Sequence, residues 1–182
     1  MNYWFTSDTH FCHKKVIEYS NRPFETVEEM DEALILMWNS VVRPNDTVWH
    51  LGDFAFAKKD KIIEIAHRLN GHKNLILGNH DRELKKYRYI EGAFESIQNY
   101  KELNINNEHI VMSHYAMRVW NKSHYGSMML YGHSHGTSKP WGRSVDIGVD
   151  SKEISLDYRP YHLKEIQAYM SRKVKVSIDH HT

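Results

Sequence analysis

The stretch Leu75-Ile76-Leu77-Gly78-Asn79-His80-Asp81 constrains this chain more than any other. A short apolar run of the kind that forms a buried strand stops at a glycine. Three polar residues follow that are able to coordinate a metal or move a proton. The pattern recurs: Ser7-Asp8-Thr9-His10 follows Tyr3-Trp4-Phe5, Gly52-Asp53 follows Val48-Trp49-His50-Leu51, Ser113-His114 follows Ile110-Val111-Met112, and Gly132-His133-Ser134-His135 follows Met128-Met129-Leu130-Tyr131. A lone Asp or Asn after a strand is usually a turn former. A whole series of such exits is hard to assign to turns, because open α/β sheets gather their ligands outside the carboxyl ends of the strands.

At 182 residues the chain suits one domain, residues 1–182, long enough to bury a core without disulfides or structural metals. Hydrophobic residues at 41% exclude wholesale disorder. Lys plus Arg number 24 against 23 Asp plus Glu, so nothing global advertises nucleic acid or an anionic membrane, and any attraction for a phosphate must be local. The single cysteine, Cys12, is compatible with a reducing compartment. No apolar run approaches membrane-spanning length, and the first strand leads straight from Met1 to Asp8, so a cytoplasmic protein without a membrane partner is expected. Of the 14 histidines, His10, His80, His114, His133 and His135 fall in the strand exits, while His180 and His181 end the chain.

Along the chain, residues 2–6 read as a strand and residues 13–19 as a short helix, ended before Pro23. Thr26 with Glu29 has the form of a capping box, and Val27, Met30, Leu34, Met37, Trp38 and Val41 recur at helical spacing. Residues 47–51 read as a strand. Asp60 is placed to cap a helix running to Leu69, Gly71 suits a left-handed residue after it, and residues 74–77 form the next strand. Strand, helix, strand, helix, strand favours parallel pairing. Beyond Asp81, residues 83–90 predict a helix, and residues 94–103 and 109–112 a hairpin around Asn104-Ile105-Asn106-Asn107. Strands at 128–131 and 144–149 and a closing helix at 163–170 complete the chain. Two sheets between helices account for both kinds of strand, and so does a single mixed sheet.

The exits carry seven donors: Asp8, His10, Asp53, Asn79, His114, His133 and His135. That is too many for one tetrahedral zinc, and it suits two ions about 3.5 to 4 Å apart. With only Asp8 and Asp53 charged, two divalent ions keep a positive surplus that attracts a phosphate. Oxygen and imidazole donors without thiolate favour Mn, Fe, Zn, Co or Ni over Ca or Mg.

These segments resemble the calcineurin-like metallophosphoesterase superfamily, whose five motifs are an Asp-x-His, a Gly-Asp, a Gly-Asn-His-Asp or -Glu, a His, and a Gly-His-x-His. All five occur in family order from Asp8 to His135. The resemblance implies an α/β fold, a four-layer α/β/β/α sandwich with two mixed sheets. It implies that Asp8, His10, Asp53 and His135 hold one ion and Asp53, Asn79, His114 and His133 the other, with Asp53 as the bridge. Phe5-Thr6-Ser7-Asp8-Thr9-His10-Phe11, Asn21-Arg22-Pro23-Phe24, Arg118-Val119-Trp120-Asn121 and Asp146-Ile147-Gly148-Val149-Asp150 look most like small capless phosphoesterases of bacteria and their phages. Cys12 stands where such proteins often have glycine.

The activity so implied is hydrolysis of a phosphate mono- or diester by a hydroxide bridging the ions. His80, beside Asn79, is placed to protonate the leaving alkoxide, and Asp81 to orient its ring. Arg22, Arg82, Arg118, Trp120 and His124 are candidates to grip the substrate, and His13 to support a ligand. His50, His67, His72, His109 and His162 read as structural or exposed. The partner is a small phosphorylated substrate, nucleotides and nucleic-acid ends included. The competing readings are a nuclease of the same superfamily and a non-catalytic protein-binding scaffold on this fold.

Overall fold

The computed structural model describes residues 2–176; His180 and His181 lie outside them. β1 (Tyr3–Thr6) leads through α1 (Lys14–Tyr19) and α2 (Val27–Val41) to β2 (Thr47–His50), and α3 (Lys59–Arg68) leads to β3 (His72–Ile76). The three strands pair in parallel, as the strand–helix alternation predicts. β4 (Ser96–Gln98) continues the sheet in parallel beyond β3, and β9 (Tyr161–His162) lies antiparallel on the free side of β1. A second mixed sheet runs in the order β5 (Tyr100–Ile105), β6 (Glu108–Ser113), β7 (Met128–Tyr131), β8 (Ser144–Asp146), with the first pair antiparallel and the others parallel. The last helix is α4 (Leu163–Met170). Two sheets are present, not one.

The core explains why the strands read as unbroken apolar runs. Trp4, Val48 and Leu75 face the helices and pack with Met30, Leu34, Trp38, Ile62 and Ile65, whereas Phe5, Trp49 and Ile76 face the second sheet and meet Ile110, Met112, Met128, Leu130 and Val145. Leu163 and Ile166 of α4 join that inter-sheet core. Val111, Met129 and Tyr131 turn outward and are covered by Trp120 from the segment 115–127. A strand buried on both faces needs apolar residues at every position.

Local expectations are met unevenly. Thr26 caps α2 by accepting from Glu29 N, but the Glu29 carboxylate accepts from Glu25 N instead of closing the box. The complete box is at α4, where His162 Nδ1 accepts from Lys164 N and Glu165 from His162 N. Lys58, not Asp60, is the N-cap of α3; Asp60 sits inside the first turn, where its charge still opposes the helix dipole. The predicted helix at 83–90 is a single 3-10 turn, Arg82–Leu84. Its apolar residues Leu84, Tyr87 and Ile90 fall three apart, and Ile90 pairs with Phe94 in a tight turn. The run 94–103 divides at Asn99 between β4 in one sheet and β5 in the other. The hairpin it forms with β6 turns on Asn106 and Asn107, both left-handed, as a two-residue turn demands. Among the described residues no helix is long and apolar enough to cross a membrane.

Candidate metal centre

The carboxyl ends of β1, β2 and β3 lie side by side in one sheet and those of β6 and β7 in the other. The sheets are stitched together just beyond these ends, where Ser7 bridges to Gly148 and Val149 N donates to Ser7 O at 3.0 Å. Further bonds tie loop to loop: Asp8 N to Gly52 O, His10 N to Asp53 O, Gly132 N to His114 O, and His133 N to both Asp8 carboxylate oxygens. The loops approach so closely that Gly52, Gly78 and Gly132 leave no room for a Cβ. A Cβ on Gly78 would run into the Asp53 carboxylate, and one on Gly132 into Ser7 and Asp8.

The exits converge on one cluster. Donor atoms of Asp8, His10 and His135 lie within 4.8 Å of one another, as do those of Asp53, His114 and His133. Asp53 Oδ2 stands between the groups, 3.6 Å from His10 Nε2 and 3.5 Å from His114 Nε2. Asn79 Oδ1 is 3.1 Å from His114 Nε2. Five of these seven residues have left-handed backbones, with φ of 57° at Asp8, 51° at His10, 55° at Asp53, 69° at His133 and 47° at His135. Such conformations cost roughly 1–3 kcal/mol each for non-glycine residues and persist only where the surroundings over-determine them. Cys12 is left-handed as well, at 63°, a conformation that favours glycine; its N–H is held by the Asp31 carboxylate.

Three of the imidazoles are aimed by a bond at the ring's other nitrogen. His135 Nδ1 is paired with Asp150 Oδ2 at 2.5 Å, His114 Nδ1 with Leu51 O at 2.7 Å, and His10 Nδ1 with His13 Nδ1 at 3.3 Å. His10 Nε2 is buried without a hydrogen-bond partner. Burial pushes the His10 pKa down to about 2, so the ring is held neutral, the form in which imidazole can bind a metal. Burial likewise pushes the Asp8 carboxyl up to about 7. At His114 burial opposes the charged form, but Asp53 and Asp8 outweigh it and lift the imidazole to about 9. Among the described residues no Lys or Arg pairs with either carboxylate. Buried carboxyl groups, an unpartnered ring nitrogen at His10 and pre-aimed imidazoles fit divalent cations bound by oxygen and nitrogen.

Other expected site residues lie elsewhere. Asp81 does not orient His80. Its carboxylate accepts from Gly78 N, Asp53 N and Phe54 N at 2.7, 2.8 and 2.9 Å, clamping two strand exits together. Arg22 cannot grip a substrate, because its guanidinium is fully buried: Nε and Nη2 bind the Asp150 carboxylate, and Nη1 and Nη2 bind the carbonyls of Thr9 and Asp8. Trp120 is buried too, with its Nε1 donating to Ser127 O. Arg118 is exposed, its guanidinium over the Trp141 ring. Sequence reasoning missed the roles of Asp150 and of Asp146, whose carboxylate accepts from Gly136 N and Gly148 N. The signal was there: Asp146 to Asp150 leave β8 in the same pattern as the other exits.

A cavity of about 710 Å³ opens over the cluster, lined by His10, Asp53, Asn79, His133 and His135, with His80, His13, Lys15, Tyr19 and Phe56 around it. The His80 ring stands 5.3 Å from that of His10 and 5.8 Å from that of His13, and the His80 backbone N–H donates to Asp53 Oδ1.

The arrangement has relatives. A protein of unknown function from Aquifex aeolicus superposes with a TM-score of 0.69 at 23% identity, covering 92% of this chain and 98% of that one, a likeness of fold. An uncharacterized protein of Methanocaldococcus jannaschii is 36% identical over 166 residues, 85% of this chain and 86% of its own length. The gene 66 protein of Mycobacterium phage L5 is 29% identical over 184 residues, 82% of this chain and 87% of its own. Residues 1–139 match the calcineurin-like phosphoesterase superfamily domain, a span that takes in every donor from Asp8 to His135. By that match and by the strand exits that meet at Asp53, this chain belongs to the calcineurin-like phosphoesterase superfamily.

Proposed function

We propose that the protein is a metal-dependent phosphoric ester hydrolase, cleaving a phosphate mono- or diester at a centre of two divalent transition-metal ions. The observation that carries this reading is the position of Asp53, one buried carboxylate within reach of both donor groups. Asp8, His10, Asp53 and His135 would hold one ion, and Asp53, Asn79, His114 and His133 the other. Bound there, the ions supply Lewis-acid polarisation of the phosphoryl oxygens and a water acidified towards neutral pH.

The chain's own residues aim and protonate. Asp150, Leu51 O and His13 fix the ring orientations of His135, His114 and His10. Arg22 holds the Asp8 and Thr9 carbonyls, which sets the first loop. His80 acts as general acid towards the leaving oxygen. Its backbone is fixed to Asp53, its ring lines the cavity, and among the described residues that ring has no hydrogen-bond partner, leaving a nitrogen available to the ester.

The test compares esters of differing leaving group. His80→Ala should retain its metal by elemental analysis and lose about 10²–10⁴-fold in turnover of alkyl esters, with a much smaller loss for p-nitrophenyl esters. Equal losses on both would remove His80 from the acid role. Asp53→Ala should lose the metal itself.

A further inference from the structure

Beside the metal centre lies a second hollow that the reaction does not use. A cavity of about 450 Å³ is lined by Lys59, Lys86, Tyr87, Arg88, Tyr89 and Glu91. Two stretches of chain join it to the first. Phe56 lines the metal-centre cavity and Lys59 the second; His80 lines the first and Lys86 the second. Three residues span at most about 11 Å, so the two hollows are neighbours.

The chemistry of the connecting strip is distinctive. Lys58, Arg82, Lys85, Lys86 and Arg88 are exposed, Lys59 is half-buried, and among the described residues none of the six has an acidic partner. Some cations elsewhere are paired, as in Lys61 with Glu64, Arg68 with Glu32 and Arg159 with Glu165, but what marks the strip is six unpaired cations close together in the chain. Aromatic rings are interleaved with these charges. Lys59 and Lys86 place their ammonium groups 4.6 and 5.4 Å from the Tyr87 ring centre. Tyr89 is 66% exposed, and Phe56, at the rim of the metal centre, is 57% exposed. In a chain of net charge +1 this concentration is local.

We propose that the strip from Phe56 and Arg82 to Arg88 and Tyr89 is a binding track for single-stranded nucleic acid, holding the chain on one side of a phosphodiester presented to the metal centre. This rests on the phosphoesterase reading for the cleavage and goes beyond it for the substrate. Unpaired cations follow a phosphate backbone, and exposed rings at intervals stack on bases irrespective of sequence. An anionic lipid surface or a polyphosphate would use the charges and leave the rings idle. A duplex would bury its bases away from them.

The test uses the metal-loaded protein, a fluorescently labelled oligothymidylate of twelve residues, and bis-p-nitrophenyl phosphate as a small ester. Binding is read by anisotropy with calcium in place of the transition metal, so it is measured whether or not the ester is cleaved. Lys86→Ser with Arg88→Ser should weaken oligonucleotide binding at least tenfold and reduce the slope of log K against log salt by about 1.4, at about 0.7 for each phosphate no longer neutralised. Tyr89→Ser should weaken it at least fivefold. Both variants should keep the wild-type melting temperature and full activity on the small ester. Wild-type affinity in either variant, tighter binding of duplex than of single strand, or equal binding of polyphosphate that Tyr89→Ser leaves unchanged would each overturn the track. Failure to hydrolyse the small ester at all would instead count against the enzyme reading and leave the binding result standing.

Discussion

Asp81 touches none of the donor atoms, yet it decides where one of them sits. One of its oxygens accepts from both Gly78 N and Asp53 N, and the other accepts from Phe54 N. Burial pushes its pKa up, and these N–H bonds work against that by favouring the carboxylate. An amide at this position cannot reproduce three acceptances, because its NH₂ group must face at least one N–H. Asp81→Asn should therefore cost about 1–3 kcal/mol for the unsatisfied buried donor. Metal affinity should fall about 10- to 100-fold, as for other residues that orient a ligand from behind. Urea unfolding and calorimetric Mn titration measure the two losses. The discrimination between alkyl and p-nitrophenyl esters should stay as in the wild type, whereas normal metal binding with altered discrimination would return Asp81 to the service of His80. At this scale the donors were legible because few residue types coordinate a metal and a strand end tells where they point. The pairing of Arg22 with Asp150 was not, since it joins positions 128 apart; the strand exit at Asp146 to Asp150 hints at Asp150 but not at its partner. An arginine before a proline looks equally like a surface residue.

β3 carries the metal centre at one end and a buried ammonium at the other. Lys73 is 7% exposed, and its Nζ donates to Leu69 O and Gly71 O, closing the carbonyls after α3. Burial pushes its pKa down to about 8, with Glu95 opposing. Below pH 8 the amine is charged in both the folded and unfolded chain, so the full cost of burial is present. Between about pH 8 and the ordinary value of 10.5 the unfolded chain binds more protons, and stability rises with pH by at most about 3 kcal/mol. Lys73→Met removes this slope, so the wild-type minus variant stability should rise across that window. A flat difference would show that the carbonyl bonds keep Lys73 charged throughout. Elements were legible where packing demands regularity, as in α2 with its stripe and β7 with its unbroken run. They were not where the chain changes partners. Residues 94–103 look like one strand because both halves are apolar enough for a sheet, and only the tertiary structure reveals that β4 and β5 belong to different ones. The segment 83–90 has helix-forming residues, but its apolar spacing of three matches tight turns better than a helical stripe.

For the whole molecule, the ends of five strands from two sheets must meet around buried carboxylates, three of them in left-handed turns, and none of those features stabilises the fold alone. The inter-sheet core holds the ends in place, with Phe5, Trp49 and Ile76 packed against Met112 and Leu130 directly behind the exits. What the protein backbone holds in place at a cost, a cation can offset. A ligand that binds only the folded chain adds about 2.7 kcal/mol at a concentration 100 times its Kd. In a protein of this size 1 kcal/mol corresponds to about 2–4 °C of melting temperature. Each ion should then raise the melting temperature by about 5–10 °C. A scan with Mn, Fe, Zn, Co and Ni against a chelated control would rank the metals by affinity without reference to any substrate. Asp53→Asn, which keeps the size of the side chain and removes the charge facing both donor groups, should lose most of the gain from both ions at once. His80→Ala should keep it entire. A melting temperature indifferent to every metal, in protein shown to be folded, would mean that the cluster around Asp53 is held together by its own protons and hydrogen bonds, and the hydrolase proposed for it would fall.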